Sequence, residues 1–312
     1  NIKPEIDCGK FPAKRIVRDH VIIEADIFCD SHDVLGAEII YKTAGAKEWT
    51  SVPMKHIIND RWKGSFQALQ QGEYLYSIQA WVDRFGTWYR DVRKYIDAST
   101  DYSMDLLAGA ELIEEILDGD HMMSVVEKDF LEKVRDTFRD DKLKKEEKIS
   151  SIITGELSRV VKNYPVRKNM IRYKRELKLI AERPKAGFSA WYEFFPRSVK
   201  SGGKKHGTFR GCEDMVHYVA EMGFDVIYLP PIHPIGKTNR KGKNNTVSSE
   251  KGDPGSPWAI GGKEGGHKSI HPELGTFEDF ANLIKTASEH DIEIALDIAF
   301  QCSPDHPYVK EH

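Results

Sequence analysis

At 312 residues the chain has the length of about two average domains. Its 40% hydrophobic and 30% charged residues are the balance of an ordinary globular protein, which excludes disordered and fibrous classes. The 46 Lys and Arg against 49 Asp and Glu leave a formal charge of -3, so nothing global draws the chain to nucleic acid or to an anionic membrane. No apolar stretch approaches the about 18–20 residues of a membrane span, and the opening NIKPEIDCGKFPAKR has no apolar signal core; the expected location is the cytoplasm. Cys8, Cys29, Cys212 and Cys302 lie far apart without a CxxC pair, which argues against a zinc knuckle and a disulfide framework and for reduced thiols.

Val21, Ile23, Ala25, Ile27 and Cys29 alternate with Ile22, Glu24, Asp26 and Phe28, the period of two that a half-buried strand requires. Tyr74, Tyr76, Ile78, Ala80 and Val82 repeat it up to a turn at Asp83-Arg84-Phe85-Gly86, after which a strand is expected to resume at Trp88. Shorter runs lie at Ala37, Ile39 and Tyr41, and at Trp62, Gly64, Phe66 and Ala68. Short strands between turn signals predict an antiparallel β-sandwich of immunoglobulin-like size over residues 1–98. Trp49, Trp62, Trp81 and Trp88 are expected in its core, as strand tryptophans more often are, rather than stacked on a sugar.

From Ser103 the period becomes helical, with Leu106, Ala110, Ile113 and Leu117 on one face, then Val126, Phe130, Val134 and Phe138, then Ile149, Ile152, Ile153, Leu157 and Val160. Three amphipathic helices are therefore expected within 99–183. RDDKLKKEEK between the second and third reads as a solvated connection, and a basic stretch from Arg159 to Lys178 closes the segment. Helices of this length bury little alone and must pack on each other and on a further surface.

After Pro184 come the strand candidate FSAWYEFFP (188–196), a helix from Glu213 to Met222, and the buried strand DVIYLPP. A Gly/Pro/Lys/Asn loop from Ile232 to Gly275 follows, then a helix N-capped by Thr276 with Asp279 at the capping-box position, and the strand IEIALDIAF (292–300). Near-continuous apolar strands separated by helices mean a parallel sheet, in a (β/α)8 barrel or a doubly wound fold. Both place ligands beyond the strand C-terminal ends, here after Leu229 and Ala299. No GxGxxG follows the first strand and no GxxxxGK[ST] follows any, which disfavours a nucleotide site. A loop of more than forty residues is expected to be functional or disordered. Its Trp258, His267, His271, Asn244 and Asn245 are of the kinds that stack on sugar rings and bond their hydroxyls.

GFDVIYLPPIHPIG, SIHPELGT and IEIALDIAFQCSPDHP resemble, in order and spacing, the early catalytic barrel of the α-amylase superfamily. AWYEFFPRS, HPIGKTNRKGKNN, GDPGSPWAIGGKEGGHKSIHPELGT, DIAFQCSPDHPYVKEH and the opening PEIDCGKFPAKR are more specific. They are similar to the bacterial α-1,4-glucan:maltose-1-phosphate maltosyltransferases, and the resemblance covers the whole chain. Amylases carry Asp-x-x-x-Asn-His at the third strand, whereas this chain reads Asp297-Ile298-Ala299-Phe300-Gln301-Cys302. The maltosyltransferases share that Gln-Cys, so the departure argues against ordinary starch hydrolysis.

The resemblance implies a multi-domain β, α and α/β chain: an N-terminal immunoglobulin-like β-sandwich (1–98), a helical segment (99–183) and the first three strands of a (β/α)8 TIM barrel (184–312). It implies a cytoplasmic enzyme of glycogen-like synthesis that extends α-1,4-glucan from α-maltose 1-phosphate with retention, by double displacement. A homodimer through the sandwich and helical parts is implied, with no metal or organic cofactor and no nucleic-acid or membrane partner. Gln301 would bind the donor sugar through an amide that both donates and accepts. Lys241 would contact the phosphorylated sugar, ahead of Arg240 and Lys243, although composition alone leaves that basic loop solvated. Trp258 is a stacking platform or a loop anchor, and Asp297 an acid that orients its neighbours more than it reacts. Cys302 is expected as a small buried side chain, since spacing places no base beside it.

The two carboxylates of a retaining enzyme, about 5–5.5 Å apart, follow the fourth and fifth barrel strands in this superfamily. The chain is therefore expected to be the N-terminal portion of a longer enzyme, with no catalytic residue of its own and inactive alone. Two other readings stay open: a related α-glucan hydrolase or branching enzyme, and a non-catalytic glucan-binding or dimerisation module.

Overall fold

Alternating side chains build the first part of the chain into strands β1 (Ile2–Lys3), β2 (Ala13–Ile16), β3 (His20–Asp26), β4 (Leu35–Thr43), β5 (Thr50–Pro53), β6 (Lys55–Ile58), β7 (Arg61–Gln67) and β8 (Gly72–Val82). The structure, a computed structural model, describes residues 1–119, 122–199, 202–203 and 206–312. It divides into two units, Asn1–Pro184 and Lys185–His312.

In the first unit β1-β3-β7-β6 form an antiparallel four-stranded sheet. The second sheet takes two strands from beyond the helices, β9 (Ile171–Arg172) and β10 (Leu177–Glu182), and runs β2-β10-β8-β4-β5 with β9 also on β8. Val21, Ile23, Trp62 and Phe66 of the first sheet and Ile39, Tyr76, Leu177 and Leu179 of the second share one core. Two expectations change here. The β layer does not stop at residue 98, and it is not wholly antiparallel, because β10 pairs parallel with β2 and antiparallel with β8. Leu177, Leu179 and Ala181 are buried, a period-two pattern that begins where the basic stretch ends, with Lys178 exposed between the first two. Between β9 and β10 the fully buried Ser77 hydroxyl donates to the carbonyls of Tyr173 and Arg175 (3.1 and 3.0 Å), satisfying backbone that has left the ladder.

The strand expected at Trp88 is instead part of helix α1 (Arg84–Asp97). Asp83, read as a turn residue, is its N-cap: the carboxylate accepts from Gly86 N–H (2.8 Å). Phe85, Trp88 and Val92 then fall on one buried face. Helices α2 (Ser103–Leu117) and α3 (Val125–Arg139) follow, but the expected third helix is broken into α4 (Lys145–Lys148), α5 (Ser150–Ile153) and α6 (Glu156–Val161). Gly155 separates the last two in a left-handed conformation (φ 74°) that glycine adopts without strain. Trp88, Leu131, Phe138, Ile152 and Leu157 share a second core, and the Trp88 indole N–H is satisfied by Asp105 O (2.7 Å). Trp62, Trp81 and Trp88 are at most 9% exposed, so they serve the interior. Trp49 is half-buried, with Arg172 and Lys42 over its ring (4.3 and 4.8 Å).

The second unit alternates β11 (Trp191–Glu193), α7 (Phe209–Glu221), β12 (Val226–Leu229), α8 (Phe277–Glu289) and β13 (Glu293–Leu296), then ends in α9 (Pro307–Glu311). The strands are shorter than their apolar runs and pair parallel in the order β11-β12-β13. Cys212, Val216 and Val219 of α7 and Leu283 and Ala287 of α8 pack with Ile227 and Leu229. The capping box at the start of α8 is present in both directions: Thr276 Oγ1 accepts from Asp279 N–H, and the Asp279 carboxylate accepts from Thr276 N–H (3.2 and 2.8 Å). All four cysteines are free thiols, and Cys302 is exposed rather than buried. No helix of the described residues is long and apolar enough to cross a membrane.

The return of the chain to the second sheet is testable. Leu179 is fully buried in the core of that sheet, so Leu179→Ala should destabilise the chain by about 2–5 kcal/mol in urea unfolding. A cost near zero would contradict the placement of β10.

Candidate functional site

Strands β12 and β13 end at Leu229 and Leu296, and the segments that follow them are built against each other. The first is the loop from Ile232 to Gly275. It is ordered by its own short pairing: Gly236 N–H donates to Ala259 O and Gly261 N–H to Pro234 O (3.0 and 2.8 Å), with Ile235 and Ile260 bridged and buried. Residues 237–258 are thus an excursion whose two ends are joined. Arg197, just after β11, is buried at 9% exposure and donates to the carbonyls of Pro231 and His233 (2.7 and 2.9 Å). Burial pulls its pKa down to about 10, still far above neutrality, so it remains a cation fixed under the loop.

The second segment, residues 297–306, is tied to that loop at intervals. Asp297 N–H donates to Leu229 O (3.0 Å), carrying the β12–β13 pairing one residue further. The Asp297 carboxylate accepts from the indole N–H of Trp258 (2.7 Å) and is hydrogen-bonded to the Tyr228 phenol. Burial first, then this bond and the Asp297 charge, push the phenol's pKa up. Ser303 N–H donates to Ile260 O (2.7 Å). The Asp305 carboxylate accepts from the backbone N–H groups of Lys237 and Thr238 (2.6 and 2.7 Å) and from the Thr238 hydroxyl (2.7 Å), which holds the start of the excursion.

Two of the four residues expected at the site, Trp258 and Asp297, are therefore in direct contact. Trp258 is an anchor: its N–H is spent on Asp297 and its ring meets Phe195 edge-on (5.9 Å). Asp297 is bonded by two neutral donors, the Trp258 indole and the Tyr228 phenol. Gln301 is exposed on the segment beyond β13, and Lys241 is half-buried on the excursion. Among the described residues neither makes a hydrogen bond to this pair or to the other. Arg240 donates to Pro254 O (2.6 Å) and so braces the excursion, while Lys243 is exposed. Tyr228, Arg197 and Asp305 were not singled out from sequence. Arg197 stands in the quoted AWYEFFPRS and Asp305 in CSPDHP, but nothing in their spacing reveals their partners.

His206, His271 and Glu273 bring three potential metal-ligand atoms within 4.8 Å of one another. The donor set fits a cation poorly. His271 Nδ1 accepts from Glu273 N–H (3.3 Å), which leaves the ring's one proton on Nε2, and the fixed charge of Arg197 acts on His271. Burial, then Arg197, depress His271 to about 4, and burial also depresses His233 and His306. A base with a lowered folded pKa is neutral in the fold while the unfolded chain already binds a proton, so the unfolded state gains as pH falls. Stability should therefore decline from just above pH 6.5, the ordinary histidine value, toward pH 4. Melting temperatures across that range should show the decline, and His271→Gln should flatten it; an unchanged slope in the variant would contradict the assignment.

Residues 1–183 match the family described as alpha-1,4-glucan:maltose-1-phosphate maltosyltransferase, domain N/S, and residues 193–312 match the alpha amylase catalytic domain. The alpha-1,4-glucan:maltose-1-phosphate maltosyltransferases of Myxococcus xanthus and Chlorobaculum tepidum are each 45% identical, over 100% and 99% of this chain and 47% and 45% of their own. A crystal structure of an alpha-amylase from Lactobacillus plantarum is 34% identical over 40% of this chain and 25% of that chain, with a TM-score of 0.32. The chain spans about half the length of the curated relatives it matches. With more than half of its residues covered by the first match, the chain belongs to the α-1,4-glucan:maltose-1-phosphate maltosyltransferase family.

Proposed function

We propose that this chain carries the donor-binding part of a maltosyltransferase that transfers maltosyl units from α-maltose 1-phosphate to an α-1,4-glucan with retention. The observation that carries this reading is the pinned pair of segments beyond β12 and β13, which presents the amide of Gln301 on one and the ammonium of Lys241 on the other. Gln301 would donate to and accept from sugar hydroxyls. Lys241 would supply charge to the phosphate, with Trp258 and Asp297 lining and orienting the site. The names of the curated relatives support the substrate class, and Gln301-Cys302 in place of Asn-His supports a transferase over a starch hydrolase.

In the same reading β11, β12 and β13 are the first strands of a (β/α)8 barrel, and the two sheets of the first unit are an immunoglobulin-like sandwich. The nucleophile and the acid/base would come from later strands of the barrel. An Asp would attack the anomeric carbon and displace phosphate, and a Glu would protonate the departing oxygen and then deprotonate the glucan hydroxyl. Residues 1–312 alone would bind donor without turning it over. The assembled enzyme would be a cytoplasmic homodimer, a compartment that suits four free thiols.

Calorimetric titration of the chain with maltose 1-phosphate and with maltose, at low and high salt, tests the reading. The phosphorylated ligand should bind more tightly, by about tenfold for each 1.4 kcal/mol of added interaction, and salt should weaken it selectively. Gln301→Ala should weaken both ligands and Lys241→Ala chiefly the phosphorylated one, each by about 1.5–3 kcal/mol for a bond to a charged group and less for a neutral one. Equal affinity for the two ligands, unaltered by salt or by either substitution, would reject it.

A further inference from the structure

Behind the exposed face of the 297–306 segment lie two histidine rings whose proton positions are fixed from both ends. His306 is fully buried. Glycines 261 and 266 pass so close to it that a Cβ on either would overlap its ring, so the ring has one seat. Its Nδ1 faces the backbone N–H of Tyr308 (3.1 Å). That N–H can only donate, so Nδ1 accepts, and in the neutral ring the proton sits on Nε2. His306 Nε2 lies 3.0 Å from His267 Nδ1. His267 Nε2 in turn lies 2.7 Å from the carbonyl oxygen of Ala299. A carbonyl can only accept, so His267 also carries its proton on Nε2 and offers a lone pair at Nδ1. The two assignments are made independently, at opposite ends, and they agree at the contact between the rings: His306 Nε2–H donates to His267 Nδ1. No third proton can be added without setting two N–H groups against each other.

We propose that His267, held in its Nε2–H form by His306, is a positioning residue that fixes the Ala299 carbonyl and thereby sets the place of Gln301 two residues on. The relay joins three pieces of chain that are distant in sequence: the loop between β12 and α8, the segment after β13, and the start of α9, where His306 is the N-cap. Flanking ties hold the segment at Asp297 and Ser303. Between them, among the described residues, His267 is the side chain that reaches its backbone, while Phe300 beside Gln301 is 93% exposed. The consequence for donor binding rests on the function proposed above; the relay itself does not.

Two variants separate the parts of the relay. In His267→Gln the side-chain amide reaches as far as Nε2 and can donate to Ala299 O. In His267→Asn it reaches only as far as Nδ1, keeping an acceptor for His306 and losing the tie to Ala299. Nitrogen-15 spectra of ring-labelled chain should show the proton of both rings on Nε2. Hydrogen exchange at the Asp297 and Ser303 amides should accelerate about fivefold in His267→Asn, as loss of one neutral hydrogen bond implies, and stay within about twofold of the parent in His267→Gln. Affinity for maltose 1-phosphate should follow the same order. A ring protonated on Nδ1, or exchange that is equal in the two variants, would overturn the proposal. Exchange that separates them while donor affinity does not would uphold the relay and count against Gln301 as a donor ligand.

Discussion

A chain that leaves the end of a parallel strand loses its ladder, and each buried N–H and C=O must find another partner. After β13 several of those partners come from the end of β12 and the loop that follows it. The strand end supplies Leu229 O to Asp297, and the loop supplies the indole of Trp258 to the same residue's carboxylate, His267 to Ala299, and Ile260 O to Ser303. The debt runs the other way at Asp305, whose carboxylate holds the backbone of Lys237 and Thr238. Each segment is the other's scaffold. Removing one partner strands a buried polar group, at about 1–3 kcal/mol, so the ties stand or fall together. Turning residues 297 and 299 toward the loop sends 298 and 300 outward, and Ile298 and Phe300 are 70% and 93% exposed.

The same principle shapes the first unit. Its second sheet is completed only when the chain comes back from the helices as β10, between β2 and β8. The helices are therefore an insertion within a β unit, and their core of Trp88, Leu131, Phe138 and Leu157 forms on a segment anchored at both ends. The boundary at Pro184 falls where this sheet is finished and the parallel sheet has yet to begin.

How much of this was legible in the residues depends on whether the signal was local. The alternation at Val21, Ile23 and Ala25, the helical spacing at Leu106, Ala110 and Ile113, and the Thr276 to Asp279 cap all involve neighbours within four positions, and each element is present. Helix α1 was missed because Asp83-Arg84-Phe85-Gly86 has turn composition and Trp88 and Val92 are residues that strands favour; the cap at Asp83 and the spacing of Phe85, Trp88 and Val92 were the signal available. Strand β10 was masked by the basic stretch that runs into it as far as Lys178. At the site, Trp258 was named from loop composition, Asp297 from its place at the end of a strand, and Lys241 and Gln301 from resemblance; their arrangement could not be read, because Trp258 and Asp297 are 39 positions apart and His267 and Ala299 are 32. Cys302 was expected as a small buried side chain because spacing places no base beside it; it is exposed.

The central claim is that the excursion 237–258 and the segment 297–306 form one binding platform. Hydrogen exchange of the chain with and without saturating maltose 1-phosphate tests it most directly. Peptides from both segments should gain protection together, at the same ligand concentration, while those from α2 and α3 are unchanged. Protection confined to one segment, or lying in the first unit, would contradict the account.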